Sequence, residues 1–557
     1  MKKIALFLTV LLSIGLLSCR KAAPADLVLK NGVIITVDRD NPRAQAVAVA
    51  GNTIIAVGPD KEIEKHVRPG VTKVIDLTGK IALPAFNDAH IHFFSAGSAL
   101  DQVDLVGITS YEQMKERVAA RVRQSQPGEW INGRGWDQSL IPGRAWPTKE
   151  ILDNVAPENP VLLSRVDGHS VLINSYLLKE SGITRKTPDP EGGAIVRDPV
   201  TGEPTGVLKE NAAGLAKRQR KAPEETREDL RRHLRLALEQ AKKCGVTSIT
   251  HIGGGEELFE EFQQQGELTV RVYYCPPLKD NPETVQKYKN LRQKYAKNPL
   301  IKFGFLKAFI DGTLGSQTAA LFEPYTDNPS TSGVLVMPVE KLEKQILAAD
   351  KDSFQVGVHA IGTRGNHIVL DAFEKAIAQN GKRDSRHRIE HAQILVKEDL
   401  PRFAGLGVIA SMQPTHCITD KRFAEQRLGP ERCRYAYAWR SILEAGGRIA
   451  FGTDCPVEPM DPMEGLYAAV TRKDRKGEEG DGWFPEEKLT MQEAIELYTL
   501  GPAYASFEED IKGSIEPGKL ADMVVLSQNL FEIPESEIMK TRVVYTIFDG
   551  KIIFESE

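Results

Sequence analysis

Several histidines and one aspartate stand where short apolar runs of the chain come to an end. Asn87-Asp88-Ala89-His90-Ile91-His92 closes one such run. Residues two apart in extended backbone face the same way, so His90 and His92 point together. His359 follows Phe354-Gln355-Val356-Gly357-Val358, His391 follows Arg388-Ile389-Glu390, and Asp454 follows Ile449-Ala450-Phe451-Gly452-Thr453. Alone, each is an ordinary loop or core residue. Brought together, imidazoles and a carboxylate make a site for a divalent transition metal, with Zn²⁺ the best match. Such an ion lowers the pKa of water toward ~7 and polarises a carbonyl, which makes hydrolysis the chemistry to expect. Lys307, in Leu306-Lys307-Ala308-Phe309-Ile310-Asp311-Gly312, adds a second possibility. A lysine buried near cations becomes neutral. A neutral amine can take up CO₂ as a carbamate, an anion able to bridge two metals. The competing reading is a lysine ion-paired at a strand end, with Asp311 as a partner.

The elements that would position these residues are short apolar strands alternating with amphipathic helices, the signature of a parallel sheet. Strands are expected near 82–89, 246–250, 269–275, 301–306, 354–358, 386–390, 407–412 and 448–453. Eight of them predict an α/β fold, a (β/α)8 TIM-type barrel over 83–507 with its active site at the strands' C-terminal ends. The stretch 95–240 is too long for one helix and two loops. It reads as an inserted subdomain after strand one, able to roof the mouth. The ends of the chain look alike. Runs such as Ala46-Val47-Ala48-Val49 and Val543-Val544-Tyr545-Thr546-Ile547-Phe548 alternate with Asn31-Gly32, Gly51-Asn52 and Asp549-Gly550. They predict one small antiparallel β-sandwich domain built from 19–82 and 508–557. Ahead of it, Lys2 and Lys3 precede an apolar run from Ile4 to Leu17. Fourteen residues are short for a membrane span and right for a signal-peptide core. The run ends in Leu16-Leu17-Ser18-Cys19 and resembles a bacterial lipoprotein signal, with a plain secretory signal or a buried N-terminal helix as the alternative readings. That resemblance implies removal of 1–18, a lipid on Cys19, and an exported, envelope-anchored protein, periplasmic or at the cell surface.

His90-x-His92 on strand one, Lys307 on four, His359 on five, His391 on six and Asp454 on eight resemble the metal set of the amidohydrolase superfamily. Gly513-Ser514-Ile515-Glu516-Pro517-Gly518-Lys519-Leu520-Ala521-Asp522 resembles the segment by which that superfamily re-enters its small β domain. Val166-Asp167-Gly168-His169-Ser170, Asp311-Gly312-Thr313-Leu314-Gly315-Ser316, Val358-His359-Ala360-Ile361-Gly362 and Arg388-Ile389-Glu390-His391-Ala392 resemble the amidohydrolase-3 subgroup, which includes N-substituted formamide deformylase. The resemblance implies a metal-dependent hydrolase of a non-peptide C–N bond, acting on a small amide or N-acyl substrate. His90, His92, Lys307 and Asp454 would hold a first metal, and His359 and His391 a second. Without the carbamate, one metal is expected, with His391 orienting water. Asp454 would take the water proton and pass it to the leaving nitrogen. Where the subgroup usually has Gly-Asp after strand five, this chain has Gly362-Thr363, and Thr363 cannot supply a carboxylate.

Further candidates come from the insert and the loops. His169 is placed to hydrogen-bond the substrate carbonyl or its developing oxyanion. Trp136, Asp137 and Asp311 are candidates to line the substrate pocket, and His251 to stand behind the metal site. His416 faces the mouth without belonging to the ligand set. His66, His233, His367 and His387 read as surface or packing residues. An ester or lactone hydrolase on the same site, or a ligand-binding lipoprotein without catalysis, are the alternative functions. Composition narrows the rest. The 557 residues carry 72 Lys+Arg against 76 Asp+Glu, a balance that gives no field for nucleic acid or an anionic membrane surface. The membrane enters only through the N-terminal anchor. Beyond Cys19, the five cysteines include no CxxC pair, so stability must come from a large core rather than a disulfide framework. A homo-oligomer is left open.

Overall fold

The structure, a computed structural model, describes residues 23–556 apart from 144, 167–169, 191–192, 218–225, 316 and 478–479. The N-terminal segment read as a signal, with Cys19, therefore lies outside the described residues, and so does His169.

Buried apolar strands form the centre. They are β1 (Phe86–Ile91), β2 (Val246–Ile252), β3 (Arg271–Cys275), β4 in two pieces (Ile301–Phe303 and Leu306–Phe309), β5 (Val356–Ala360), β6 (Arg388–His391), β7 (Ile409–Met412) and β8 (Arg448–Phe451). Most are buried along their whole length, as strands covered on both faces must be. One sheet runs from β1 through β2 and β3 to the first piece of β4, the other from the second piece of β4 to β8. Every pairing in both is parallel.

Backbone hydrogen bonds cross both gaps between the sheets. At one, Lys307 N donates to Pro276 O (2.9 Å) and Leu278 N to Lys307 O (2.6 Å). At the other, Asp454 N donates to His90 O (2.7 Å) and His92 N to Cys455 O (3.0 Å). Helices connect successive strands. Arg227–Lys243, which leads into β2, opens on a capping box between Thr226 and Asp229. It packs so closely on Phe93–Leu100 that a Cβ on Gly97 would lie 1.8 Å from His233 O.

Two expectations need correction here. The first expected strand, 82–89, is divided: Ile81–Pro84 pairs with Met523–Leu526 outside the parallel core, and β1 begins only at Phe86. Pro84 has no N–H to continue a ladder, and Ala85 N turns to donate to Asp522 O (3.0 Å). The strands near the N-terminus are also not purely antiparallel. Leu27–Lys30 pairs parallel with Lys73–Asp76, and Val33–Ile35 parallel with Ile81–Pro84.

The chain ends meet in a six-stranded sheet that joins Arg43–Ala44, Val33–Ile35 and Ile81–Pro84 to Met523–Leu526, Val543–Phe548 and Lys551–Glu555. A four-stranded sheet of N-terminal strands packs with it around Leu29, Val47, Ile54, Met523 and Ile547. Buried Arg271, at the start of β3, ties this region to the core through Asp522 (2.7 Å) and Asp549 (2.8 Å). Between β1 and β2 a separate six-stranded sheet spans Val103–Asp104 to Pro204–Glu210 and has its own apolar clusters. The helices at either end of that excursion, Phe93–Leu100 and Arg227–Lys243, pack instead into the core around β1 and β2. No helix among the described residues is long and apolar enough to cross a membrane. The cysteines among them are free and buried.

Candidate metal centre and active site

The C-terminal ends of β1, β4, β5, β6 and β8 bring His90, Lys307, His359, His391 and Asp454 into one buried cluster, with His92 at its rim. The nearest donor atoms of His90, His391 and Asp454 lie within 4.8 Å of one another. His90 Nε2 and His92 Nε2 both face Asp454 Oδ1, at 3.6 and 3.4 Å. The His359 and His391 rings stand 4.6 Å apart, those of His90 and His391 4.9 Å apart.

Each inner histidine spends one ring nitrogen on a protein acceptor. His90 Nδ1 donates to Glu390 Oε2 (2.5 Å), His391 Nδ1 to Gln413 Oε1 (2.8 Å), and His359 Nε2 to Gly312 O (3.1 Å). An acceptor at one nitrogen fixes the tautomer and leaves a lone pair on the other, as a metal ligand requires. Burial and the nearby Lys307 charge take His90 down to about 4 and His359 to about 3. Burial and the His359 charge hold His391 well below its usual range. All three are therefore neutral at pH 7.

The acidic and basic members complete the picture. Burial would raise Asp454, but His92, His90, His391 and His416 outweigh it and hold it far below the carboxylate range. Burial lowers Lys307 from 10.5 to about 8, against the pull of Glu390 and Asp454. Lys307 Nζ and Asp454 Oδ1 are buried without a hydrogen-bond partner, an arrangement that costs about 1–3 kcal/mol per group unless a ligand answers it. Neutral imidazoles, an ionised carboxylate and a buried orphan amine fit a divalent metal.

The backbone is strained at the same place. His391, Ala392 and Asp454 adopt positive φ (79°, 44° and 57°), a conformation few non-glycine residues take and one found at functional sites.

Groups that no sequence signal marked hold the donors in place. Asp88 accepts from His90 N (3.0 Å), Thr453 N (3.0 Å) and Thr453 Oγ1 (2.5 Å), clasping β1 to β8 on either side of the site. Burial raises its carboxyl to about 7. A Cβ on Gly452 would lie 2.5 Å from His90 N and 2.7 Å from Asp88 Oδ1, so only glycine fits there. Burial would push Glu390 up, but Arg388 (2.8 Å) and His90 hold it at about 2. Both carboxylates stand inside the segments that carry the histidines, but nothing in the sequence set them apart or showed which donors they would support.

The remaining candidates lie elsewhere. Trp136 is a correction. Its side chain is fully buried in the insert's own core, Nε1 donates to Leu163 O (2.8 Å), and the ring meets Trp146 edge-on, so it packs the insert rather than lining a pocket. Asp137 pairs with Arg165 (3.0 Å) inside the same insert. Asp311 accepts from Ala320 N, Ile361 N and Gly362 N (2.8, 3.0 and 2.8 Å). With both oxygens engaged by backbone, it fixes the loops after β4 and β5 rather than a substrate. Thr363, at the start of Thr363–Asn380, accepts from Phe322 N (3.2 Å) and helps hold the same loop. His251 accepts from Phe93 N (3.2 Å), and its Nε2 donates to Gly254 O (3.0 Å), joining the loops after β1 and β2. His387 is buried, with Nε2 3.1 Å from Asp350.

The amidohydrolase family model matches residues 73–554, and the chain belongs to that family. It is a metal-dependent amidohydrolase, a hydrolase acting on carbon–nitrogen bonds. It is 35% identical to the protein LONG AFTER FAR-RED 3 of Arabidopsis thaliana, covering 95% of this chain and 92% of that one. It is 29% identical to the N-substituted formamide deformylase of Arthrobacter pascens, covering 95% and 98%. Among solved structures, an uncharacterised metal-dependent hydrolase from Pyrococcus horikoshii aligns with a TM-score of 0.73 and 28% identity, covering 91% of this chain and 99% of that one.

Proposed function

We propose that this protein hydrolyses a non-peptide C–N bond in a small amide or N-acyl substrate. N-substituted formamides are the first class to test, because a relative alignable along nearly its whole length carries that activity in its name. The observation that carries the reading is the convergent donor set. Three neutral histidines each keep one ring nitrogen unspent, beside a carboxylate oxygen and a lysine amine that are buried and unpartnered. His90, His92, Lys307, His359, His391 and Asp454 would hold the divalent metal, zinc before others. Bound there, it supplies Lewis acidity that polarises a carbonyl and acidifies water.

The overall step adds water across the C–N bond. The water oxygen joins the carbonyl carbon, the bond to nitrogen breaks, and one water proton goes to the leaving amine. The other stays with the product acid until solvent takes it. Asp454, ionised at neutral pH, accepts the transferred proton and returns it to nitrogen. The neutral fraction of Lys307, enlarged because burial lowers it to about 8, would take up CO₂, form an N–C bond and release a proton to solvent; the carbamate oxygens would then allow two metals.

The eight parallel strands are read as a closed (β/α)8 barrel, supported by hydrogen bonds across both gaps. The mixed sheets at the chain ends are read as one small β domain, and the sheet between β1 and β2 as an inserted subdomain. The lipoprotein-like start is read as an export signal with Cys19 as its lipid anchor, which the mass of the mature N-terminal peptide tests.

Metal per chain, measured on protein beginning at Cys19 and purified without chelator, is the deciding experiment. Two equivalents are expected, falling with formamide hydrolysis in His359→Ala. One equivalent returns Lys307 to an ordinary lysine. None, even after Zn²⁺ and bicarbonate, overturns the metal mechanism. Paired amides and esters of one acid then separate C–N from ester chemistry.

A further inference from the structure

Helix Pro414–Leu428 begins just after β7, and its first turn is buried. His416, in that turn, is 6% exposed. Its Nδ1 accepts a hydrogen bond from Gln393 Nε2 (3.0 Å), so the neutral ring carries its proton on Nε2. That Nε2 is buried and has no hydrogen-bond partner. Asp454 Oδ2 is 3.7 Å away, beyond hydrogen-bond reach.

The two oxygens of Asp454 therefore face different neighbours. His90 and His92 address Oδ1, and His416 addresses Oδ2. Asp420, one turn further along the same helix, is engaged by the Tyr437 hydroxyl (2.6 Å). Thr415 Oγ1 and Gln393 Oε1 are likewise buried without partners. Orphaned polar groups are rare inside proteins and call for an explanation. Three on adjoining residues beside a donor cluster mark a wall built to meet a polar ligand.

We propose that His416 is a catalytic residue. Its Nε2–H donates to the carbonyl oxygen of the substrate and holds the negative charge that gathers there as water adds. Gln393 is its positioning residue, since the bond to Nδ1 keeps the proton on Nε2. His416 neither gains nor loses a proton in this role. The C=O electron pair moves onto oxygen when the water oxygen bonds to carbon, and returns when the C–N bond breaks. The assignment rests on the hydrolase reading above, and it gives the carbonyl contact to a residue on the β7 side of the site.

The test uses the metal-loaded full chain with formanilide as substrate. Loss of one such donor is worth about 10²–10³ in kcat. His416→Phe is expected to lose that much kcat with KM within about threefold and metal per chain unchanged. His416→Gln, which keeps an N–H, is expected to recover part of it, and Gln393→Met to lose about tenfold. A second readout does not need turnover. Methylphosphonate, a tetrahedral anion, is titrated calorimetrically into each metal-loaded variant. Its affinity is expected to fall in His416→Phe by at least tenfold and to follow kcat across the series. Loss of metal in His416→Phe would make His416 a ligand and overturn the proposal, as would unchanged kcat and methylphosphonate affinity. If the wild type turns over neither formanilide nor other acyl compounds, the hydrolase reading fails, and methylphosphonate binding alone then decides whether His416 meets an anionic oxygen.

Discussion

Glu390 is fully buried, accepts the hydrogen bond from His90 Nδ1–H, and is itself held by Arg388. Groups that orient metal-binding histidines in this way are typically worth 10–100-fold in metal affinity. Glu390→Ala is therefore expected to release metal to a competing chelator 10–100-fold more readily, and Glu390→Gln, which retains an acceptor, by less. Wild-type affinity in Glu390→Ala would show that His90 needs no such support. The donor residues themselves were legible in the sequence, because histidine is scarce and each one stood at the end of an apolar run. Their supports were not. Asp88 and Glu390 read like any acidic residue next to a histidine, and the orientation of His416 depends on Gln393, which lies across the β6–β7 loops. Trp136 misled for the opposite reason. A tryptophan in a glycine-rich stretch has the composition of a binding loop, but its burial depends on Leu163 and Trp146, which only the folded insert brings near.

Helix Phe93–Leu100 starts at His92, so its placement sets where that side chain enters the site. Gly97 is what lets it approach Arg227–Lys243, and a methyl group there would collide with backbone. Overpacking of this kind costs about 1–3 kcal/mol. Gly97→Ala is expected to lose that much in chemical denaturation and to weaken metal retention through His92. A variant as stable as the wild type would mean that the two helices can separate freely. At this scale the periodicity located the parallel strands and the helices between them, because fully buried strands are continuous apolar runs. It failed at Ile81–Ala89, where apolar residues continue across two different sheets and only the missing N–H of Pro84 marks the change. Nor does periodicity say that Phe93–Leu100 and Arg227–Lys243 pack on the core, since a helix packed on the core and a helix packed on an insert are equally amphipathic.

Across the whole molecule, buried Glu508 joins Lys302 at β4 (3.0 Å) to Lys512 (2.7 Å), which in turn donates to Ser248 in β2 (3.2 Å). Burial would raise Glu508, but the two lysines hold it at about 2 rather than 4.5. A carboxyl lowered by folding stabilises the protein fully above its unfolded value, and that contribution fades as pH falls toward the folded one. The shift corresponds to roughly 3 kcal/mol at most. Glu508→Gln is expected to be less stable than the wild type at pH 7, with the gap narrowing between about pH 4.5 and 2 in denaturant titrations. A gap independent of pH would locate the effect in packing instead. The pairing of Pro84 with Met523 has a consequence in time. A ribosome adds about 5–20 residues per second, so Ile81–Pro84 emerges roughly 20–90 s before the strand it must pair with. Through that interval one edge of the strand is an open ladder able to recruit a neighbouring chain. Nascent chains arrested shortly before Met523 should therefore engage chaperones or one another, and chains released a few dozen residues later should not.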